Sequence, residues 1–237
     1  MVSCLAGCAS NSPNDPLEGM NRAVYRFNDG VDQALLKPVA EGYRKAVPET
    51  ARRGVSNFFA NLGEPLTALN NALQGKFEAA LIDIARFGTN SIVGLAGVID
   101  VATPLGMEKH NEDFGQTMGR WGFGAGPYLV LPVLGPSSLR DGGGLLVDMQ
   151  FDPVSRSDHP PTRNSLTAAR IVNTRANLLS TTALVDDVAL DRYSFLRDAF
   201  LQRRRNLVYD GEPPESEDES GPTPIDIDDP VEESPAR

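Results

Sequence analysis

Apolar side chains recur at helical spacing along most of the chain. The first stripe contains Met20, Val24, Phe27 and Val31, at positions i, i+4, i+7 and i+11. Asp15 precedes this stripe as a potential N-cap, and the proline that follows it suits the first turn of a helix. The pattern predicts an amphipathic helix that begins at Asp15.

Similar patterns predict eight further helices. They cover residues 36–46, 48–62, 65–73, 77–87, 113–119, 137–149, 169–183 and 189–207. Prolines are expected to set some of their limits, with a kink or a start at Pro38 and a new helix at Pro65. Ser137 is the expected cap of the helix over 137–149, which three consecutive glycines would weaken. These patterns predict an all-α protein.

The helix over 48–62 carries a stripe of small, uncharged polar residues opposite its apolar face. The stripe consists of Thr50, Gly54, Asn57 and Asn61. Such a stripe either faces solvent in the ordinary way or lines a wet path for lipid headgroups. The helix over 77–87 differs, because its apolar residues occupy more than one face, which indicates burial or contact with lipid.

Two apolar segments are interrupted by glycines and prolines. They are SIVGLAGVIDVATP at 91–104 and WGFGAGPYLVLPVLGPSSLRDG at 121–142. The second is too apolar for a surface loop and too broken for a long helix. It is also too short to cross a bilayer, which takes about 20 apolar residues. We expect an irregular segment at the membrane interface, in which Pro127, Pro132 and Pro136 deny it an exposed hydrogen-bonding edge.

Charged residues near two helix ends leave alternatives open. Arg140 and Asp141 follow the second apolar segment, where they form a buried ion pair or helix cap, or else mark the level of lipid headgroups. Arg203, Arg204 and Arg205 end the last predicted helix, where cations favour the helix dipole. Contact with a lipid phosphate is the alternative for these arginines.

The charge distribution separates the C-terminal residues from the rest of the chain. The 237 residues have a formal net charge of −10 at pH 7. Residues 212–237 contain ten acidic residues and one basic residue, so the remainder is nearly neutral. We predict that residues 211–237 form a disordered acidic tail, which is either solubilising or attractive to a basic partner. An acidic tail argues against binding to nucleic acid, which requires a basic stripe.

Residues suited to catalysis or metal binding are sparse. The two histidines, His110 and His159, lie far apart, and no Cys or His pair has the spacing of a zinc site. His110 lies near Glu112 and Asp113, which we interpret as a solvated loop. Patterns for a nucleophile elbow, a P-loop and a dinucleotide-binding turn are missing from the sequence. We therefore expect neither an enzyme nor a cofactor- or metal-binding protein.

The N-terminal sequence contains a possible lipid attachment site. Leu5-Ala6-Gly7-Cys8 resembles a bacterial lipobox, in which the cysteine thiol receives the lipid. Only seven residues precede Cys8 and none is basic, so we expect a truncated signal sequence. Chance cysteines in a flexible terminus are the alternative, but the lack of cysteines elsewhere and the position just before a structured region favour lipidation. Residues 9–10 do not resemble an inner-membrane retention signal, which indicates the outer membrane.

Five segments and the lipobox, in the same order, resemble the MlaA (VacJ) lipoproteins. The segments are DPLEGMNRAVYRFND at 15–29, KPVAEGYRKAVPE at 37–49, GVSNFFANLGEPLTALNNALQGKF at 54–77, RFGTNSIVGLAGVIDVAT at 86–103 and EDFGQTMGRWGFGAGPYLVLPVLGPSSLRDGGG at 112–144. The resemblance implies a helical body over 15–210 that lies in one membrane leaflet. It also implies a ring-like or horseshoe shape around an amphipathic central channel. Residues 1–14 would then be the residual signal, lipobox and tether.

The resemblance also implies a function without covalent chemistry. Phospholipids misplaced in the outer leaflet would pass through the channel to a soluble periplasmic carrier, with trimeric porins as neighbours in the outer membrane. Phe27 and Asn28 fall in the family's N-terminal signature and are expected to gate or shape the channel. Further candidates for the lipid path are Asn57, Asn61, Tyr128 and Arg140. A scaffold lipoprotein without lipid passage is the alternative.

Overall fold

The computed structural model describes residues 15–214, so Cys8 and nearly all of the acidic tail lie outside the described residues. The described part forms eight α-helices and one two-stranded antiparallel sheet. The helices are α1 (Glu18–Val31), α2 (Lys37–Ala46), α3 (Glu49–Leu73), α4 (Phe77–Ile92), α5 (Phe114–Arg120), α6 (Leu139–Phe151), α7 (Pro160–Val188) and α8 (Arg192–Val208). The strands are β1 (Tyr128–Leu131) and β2 (Gly135–Ser138). The predicted all-α class is confirmed, with this small hairpin as an addition.

The elements pack in a closed circuit. Helix α2 lies against α7, α7 against α3, α3 against α5, and α5 against α8. The hairpin completes the circuit, because β2 contacts α8 and β1 contacts α1, which continues into α2. This order of packing agrees with the ring-like body expected from the sequence. Among the described residues, no helix is both long enough and apolar enough to cross a membrane.

Helices α1 and α2 form one continuous helical rod. A π-helical turn at Asp32–Leu36 joins them, and Pro38 follows in the first turn of α2. Pro38 has no N–H to donate to the preceding turn of this rod, and the π-helical turn just before it is where the hydrogen bonds depart from the α-helical pattern. Arg175 of α7 binds both carboxylate oxygens of Asp32, at 2.6 and 2.7 Å, and so holds the irregular turn in place. The kink or start expected at Pro38 corresponds to this π-helical turn, which ends two residues before the proline.

Asp15 does not cap α1, contrary to the prediction. Helix α1 begins at Glu18 and has no side-chain cap. The carboxylate of Asp15 is buried and accepts hydrogen bonds from Asn21, at 2.9 Å, and from the hydroxyl of Tyr193. These bonds hold the beginning of the described chain against α8, a partner more than 170 residues away that local sequence cannot indicate.

Helix α3 is a single helix of 25 residues that runs through Pro65. The separate helix predicted from this proline is therefore wrong. A proline inside a helix removes a hydrogen bond and costs about 3 kcal/mol or more. Pro65 lies on the exposed face of α3, whereas Asn61, Glu64 and Thr67 are buried, and α4 packs along the helix. This packing outweighs the local cost and keeps the helix continuous.

Helix α4 buries polar side chains and exposes apolar ones. Asp83, Arg86 and Asn90 are buried on its inner face. Phe77 and Leu81, on the same helix, are 68% and 67% exposed. Proteins that face water place these residue types the other way round. The exposed apolar face agrees with the contact with lipid that the sequence pattern of 77–87 indicated.

Helix α6 approaches α5 closely at a glycine. Its N-cap is Ser138 rather than the predicted Ser137, because the Ser138 hydroxyl accepts a hydrogen bond from the N–H of Asp141 at 3.1 Å. A Cβ atom added to Gly144 would lie 2.5 Å from the backbone nitrogen of Gly115 and 2.8 Å from its Cα atom. Backbone atoms cannot move aside cheaply, so only glycine permits this crossing.

Replacing Gly144 by alanine is expected to lower the free energy of unfolding by about 1–3 kcal/mol, because the new methyl group overpacks the α5–α6 crossing. Gly143→Ala is the matched control, since a Cβ at Gly143 meets no atom within 4 Å. The control should be stabilised by up to about 1 kcal/mol, because alanine is a better helix former than glycine. Thermal unfolding of both variants in detergent checks the pair, and equal shifts would contradict the argument.

Candidate functional site

A β-hairpin replaces the irregular backbone that was predicted for part of the segment over 121–142. In its register Tyr128 pairs with Ser138, and Leu131 pairs with Gly135. Pro136 lies within β2, but a two-stranded sheet leaves one side of each strand unpaired, where a missing N–H is harmless. The irregular backbone expected here is therefore wrong, but Pro136 does leave the open edge of β2 without one N–H donor, as expected of the prolines.

Asn28 of α1 clasps the turn of this hairpin. Its Nδ2 donates to the carbonyl of Leu131 at 2.9 Å, and its Oδ1 accepts from the N–H of Val133 at 2.7 Å. Val133 has a φ of 66°, a left-handed conformation that is strained for a β-branched residue. Asn21, two turns earlier on α1, bonds to the backbone of β1 in the same two-way manner, at 2.9 Å each. Helix α1 thus holds both the strand and the strained turn.

Replacing Asn28 by alanine is expected to release the hairpin turn, because two hydrogen bonds worth about 1 kcal/mol each are lost and Val133 is no longer held in its strained conformation. Hydrogen exchange of the Val133 amide should accelerate at least tenfold relative to the unmodified protein. Arg26→Ala, an exposed change on the same helix, is the control and should leave this amide unchanged. Unchanged exchange in Asn28→Ala would show that the clasp is dispensable.

Phe27 and Tyr128, two further candidate residues, lie in different surroundings. Phe27 is 56% exposed, whereas Tyr128 is 2% exposed. The Tyr128 ring lies 6.3 Å from the Tyr193 ring and 6.0 Å from the Phe200 ring, measured between centroids. Burial raises the pKa of Tyr128 to about 12. Tyr128 therefore anchors the hairpin to α8, while Phe27 is open to an apolar neighbour.

Four charged side chains, which we call the arginine cluster, join α5, α6 and α8. They are Arg140, Asp141, Arg204 and Asp113. Arg204 binds both oxygens of Asp113, at 2.6 and 2.9 Å, and both oxygens of Asp141, at 3.0 and 2.9 Å. Arg140 binds Asp141 at 3.0 Å, and the side chains of this pair are each 8% exposed. The hypothesis that Arg140 and Asp141 mark the headgroup level is wrong, and the buried ion pair is confirmed.

The arginine cluster stays charged despite its burial. Desolvation alone would raise the pKa of Asp113, but the Arg204 guanidinium outweighs it and holds this pKa below the usual range. Desolvation likewise opposes the charge of Arg204, and the two carboxylates more than compensate and raise its pKa. Asp113 also caps α5 by accepting from the N–H of Gln116 at 2.9 Å. Arg204 thus binds protein carboxylates. Neither the helix dipole nor a lipid phosphate, the two interpretations given for Arg203 to Arg205, accounts for its placement.

Next to the arginine cluster lies a cleft of about 340 Å³, which we call the amphipathic cleft. Its walls include Phe123, Phe200, Leu201 and Val208. Arg140, Asp141 and Arg204 supply the charged part of its lining, and Arg205 lies beside them. Arg205 is the arginine of the lining that has no carboxylate partner among the described residues, and apolar walls beside such a cation suit a molecule that combines an anionic group with an apolar chain.

Asn57 and Asn61 lie away from the amphipathic cleft, on the face of α3 that holds the segment over 91–104. Asn57 donates to the carbonyl of Val98 at 3.2 Å, and Asn61 donates to the Ser91 hydroxyl at 2.9 Å. Asn57 also borders a cavity of about 10 Å³, which is room for about one water molecule. Since Asn61 is 3% exposed, the solvent-facing alternative is wrong for it, and its amide positions the apolar segment.

A buried polar network between α3 and α4 was not predicted. Arg86 is 1% exposed and donates to Glu64 of α3 at 3.2 Å and to the carbonyl of Met107 at 2.6 Å. Burial raises the pKa of Glu64, although the Arg86 guanidinium acts in the opposite direction. His110 lies on the loop before α5, where Glu108, Lys109 and Asn111 are exposed, but its own side chain lies 2.8 Å from the buried carboxylate of Asp83.

Comparison with known proteins identifies the family. The family model described as MlaA lipoprotein matches residues 13–207. The chain belongs to the MlaA lipoprotein family. It is 38% identical over 220 residues to the intermembrane phospholipid transport system lipoprotein MlaA of Shigella flexneri. The aligned region covers 89% of this chain and 87% of that protein. The MlaA of Haemophilus influenzae is 32% identical over 225 residues, which is 90% of each chain.

A solved structure supports the same membership in the MlaA family. It comes from work on the structural basis for maintenance of bacterial outer membrane lipid asymmetry. The two chains superpose with a TM-score of 0.72 at 36% sequence identity, over 82% of this chain and 98% of the other. The helical fold expected from the family resemblance is thereby confirmed.

The ion pair between Arg204 and Asp113 in this MlaA family member was not predicted from the sequence. Arg204 was considered only with its neighbours, as a counter-charge to the helix dipole or as a phosphate ligand. Asp113 was recognised at the start of α5, and its capping position was a signal that the carboxylate is held in a fixed place. Nothing local in the sequence indicates that the two side chains, 91 residues apart, bind each other.

Proposed function

We propose that this protein is an outer-membrane lipoprotein that removes mislocalised phospholipids from the outer leaflet and passes them to a periplasmic carrier, which maintains lipid asymmetry. Similarity to intermembrane phospholipid transport lipoproteins over 87–90% of their length supports this assignment. The observation that carries it within this chain is the amphipathic cleft, because a phospholipid needs apolar walls for its acyl chains and cations for its phosphate. The protein performs no covalent chemistry in this proposal.

The body of the protein lies in one leaflet of the outer membrane without crossing it. The outward apolar face of α4 and the exposed apolar residues of the segment over 91–104 would contact acyl chains. Ile92 and Leu95, for example, are 82% and 68% exposed. An amphipathic surface of this kind binds at a membrane interface by burying its apolar side. Helices α3 and α4 bury polar side chains and expose apolar ones, which supports this placement, because exposing apolar side chains to water is unfavourable.

The candidate residues divide into four roles. Phe27 and Asn28 gate the lipid path, with Asn28 holding the hairpin turn and Phe27 contacting lipid. Arg140 offers the cleft a cation that Asp141 keeps oriented. Tyr128 stiffens the hairpin from behind. Asn57 and Asn61 act indirectly, by positioning the apolar segment against the body.

Membrane attachment is proposed through a lipid on Cys8, which lies outside the described residues. Asp15 is held against α8, so only a short tether separates Cys8 from the folded body. A Cys8→Ser variant, expressed with a complete signal sequence, should be released from membranes by a wash that leaves the unmodified protein bound. Retention of the variant would assign the anchoring to the apolar surface instead.

The proposed partners are a trimeric outer-membrane porin, beside which the protein sits, and a soluble carrier that receives the lipid on the periplasmic side. Residues 211–237 form an acidic tail in this proposal, and a carrier with a basic surface is its most suitable contact. Charge complementarity of this kind mainly speeds association. The protein needs no cofactor and no nucleic acid for this task.

The decisive experiment fills the amphipathic cleft. Gly124 lines the cleft, and a Cβ atom added there meets no protein atom within 4 Å, so the side chain of Gly124→Leu has room to start and should extend into the cleft. In cells that lack the native protein, this variant should leave phospholipid in the outer leaflet. Gly143→Leu, at an exposed position outside the cleft where an added Cβ atom also meets nothing within 4 Å, should restore asymmetry.

A second measurement separates lipid passage from scaffolding. The protein purified in mild detergent should retain phospholipid detectable by mass spectrometry, and Gly124→Leu should retain less. If neither protein retains lipid and both variants restore asymmetry, the protein is a scaffold rather than a lipid path.

A further inference from the structure

A second polar groove lies apart from the amphipathic cleft. It has a volume of about 440 Å³ and lies between the end of α2, the first two turns of α3 and the middle of α7. Its lining includes Arg44, Arg52, Arg53, Ser56, Asn177 and Ser180. We call it the basic groove. It shares no lining residue with the amphipathic cleft.

The basic groove carries unneutralised positive charge. Glu49 is the only carboxylate in its lining, and it is engaged by Arg53 through an i,i+4 ion pair. Neither Arg44 nor Arg52 has a carboxylate within ion-pair distance in the part of the chain that the structure describes. The Nε atom of Arg52 is buried and has no hydrogen-bond partner among the described residues. A buried donor without a partner is costly, so a ligand that accepts a hydrogen bond here would be stabilising.

The start of α3 adds a further positive contribution. Its N-cap is Pro48, which provides no side-chain acceptor for the first free N–H groups of the helix. The N-terminal end of a helix carries a partial positive charge, where cationic side chains are unfavourable and anions are favourable. Arg52 and Arg53 nevertheless lie at the end of the first turn and just beyond it. An anion in the groove would account for this arrangement.

Hydrogen bonds hold one wall of the basic groove in a fixed position. The Ser56 hydroxyl accepts from Asn173 at 2.8 Å and from Asn177 at 3.0 Å. The same hydroxyl donates to the backbone carbonyl of Arg52 at 3.1 Å. Helix α7 is thereby bound to α3 at the level of the guanidinium groups. A groove whose walls are already ordered loses little entropy when it binds a ligand.

We propose that the basic groove binds a phosphate oxyanion, with the guanidinium groups of Arg44 and Arg52 as its main partners. Guanidinium groups present paired N–H donors in a plane that matches two phosphate oxygens. The source of the phosphate is a phospholipid headgroup, an identification that rests on the proposed function. Free phosphate has the same chemistry and is distinguished by experiment.

The test measures binding by the full chain in a non-ionic detergent. Three ligands are titrated separately, which are inorganic phosphate, glycerophosphoethanolamine and dihexanoyl-phosphatidylethanolamine. Arg52→Gln and Arg44→Gln should each weaken binding of the lipid by about tenfold, the effect expected for a lost charge-assisted hydrogen bond. Lys45→Gln removes a neighbouring exposed charge that does not line the groove, and it should have less than a twofold effect.

The outcomes distinguish a lipid headgroup from free phosphate as the ligand, and they show whether the basic groove binds an anion at all. Arginine-dependent binding of the two headgroup ligands supports a lipid site, whereas arginine-dependent binding of inorganic phosphate alone overturns the headgroup assignment. Arg44 is exposed, so Arg44→Gln tests the site even if Arg52→Gln fails to fold. Unchanged affinities in Arg44→Gln, or equal losses in Lys45→Gln, overturn the proposal.

A protein partner is a separate outcome. If Arg44→Gln weakens capture of the periplasmic carrier but leaves all three titrations unchanged, the basic groove is a protein contact and the phosphate proposal is wrong. Because these measurements use purified protein and soluble ligands, their failure leaves the outer-leaflet assay of the Gly124→Leu variant as an independent test of the proposed function.

Discussion

Replacing Arg86 by methionine is expected to lower the free energy of unfolding by about 3–5 kcal/mol, the usual cost of breaking a buried ion pair from one side. Arg86 lies between α3 and α4 and is 1% exposed, with bonds to Glu64, Thr103 and the carbonyl of Met107. Without Arg86, Glu64 keeps a buried carboxylate that has no cation. Unfolding by denaturant in detergent would measure the loss.

A double substitution provides the control for this prediction. Arg86→Met combined with Glu64→Met removes both charges, so it should recover a large part of the stability. The single variant should also depend on pH, because burial raises the pKa of Glu64 and loss of Arg86 raises it further. A carboxyl with a raised folded-state pKa stabilises the fold at low pH and loses this contribution as the pH rises through that pKa. Arg86→Met should therefore be less destabilised at about pH 5 than at about pH 7, and a pH-independent loss would contradict the role of Glu64.

Replacing Arg204 by methionine is expected to have an effect of similar size, about 3–5 kcal/mol, because two carboxylates lose their shared cation. Arg204 binds Asp113 of the α5 cap and Asp141 of α6, so the change loosens α8 from both helices. The amphipathic cleft should widen, and lipid retained on purification should fall at least tenfold. Denaturant unfolding and lipid mass spectrometry would measure the two effects.

The neighbouring arginine offers a matched control. Arg203 is exposed and has no ion pair among the described residues, so Arg203→Met should change stability by less than about 0.5 kcal/mol. If the two substitutions had equal effects, the net charge at the end of α8 would matter and the arginine cluster would not.

Helices were predictable from the sequence where a local signal and the tertiary structure agree. A short helix was predicted over 113–119, and the structure has α5 at Phe114–Arg120 with Asp113 as its N-cap. The stripe through Ala169, Val172 and Ala176 predicted α7, although the helix extends well beyond it in both directions. The family resemblance added the ring-like arrangement, which no periodicity could indicate.

The orientation of the helices was not predictable, because the usual assumption about burial fails. Periodicity shows that a helix has two faces, but the choice of the inner face assumes that water lies outside. On α1 the stripe residues Met20 and Phe27 are 43% and 56% exposed, while Asn21 is fully buried. Asn21 and Asn28 lie inside because they bind the hairpin backbone, which is a long-range requirement.

The hairpin was missed for a different reason. Its strands have four residues each, and β2 has the sequence GPSS, which lacks the apolar and β-branched residues of ordinary strands. Side chains of α1, rather than the strand sequences, determine where it forms. The same applies to Asn57, whose amide was interpreted as part of a wet surface and instead binds the backbone of Val98.

The polar interior of α3 and α4 has a thermodynamic consequence. Unfolding of a water-soluble domain exposes apolar surface and raises the heat capacity by about 12–15 cal/mol/K per residue. In this protein Asp83, Arg86 and Asn90 would become hydrated on unfolding, which lowers the heat capacity. The heat-capacity increment per residue should therefore fall below that range, and the stability curve should be unusually flat with temperature. Such a protein would keep nearly the same margin of stability across the temperatures at which its bacterium grows.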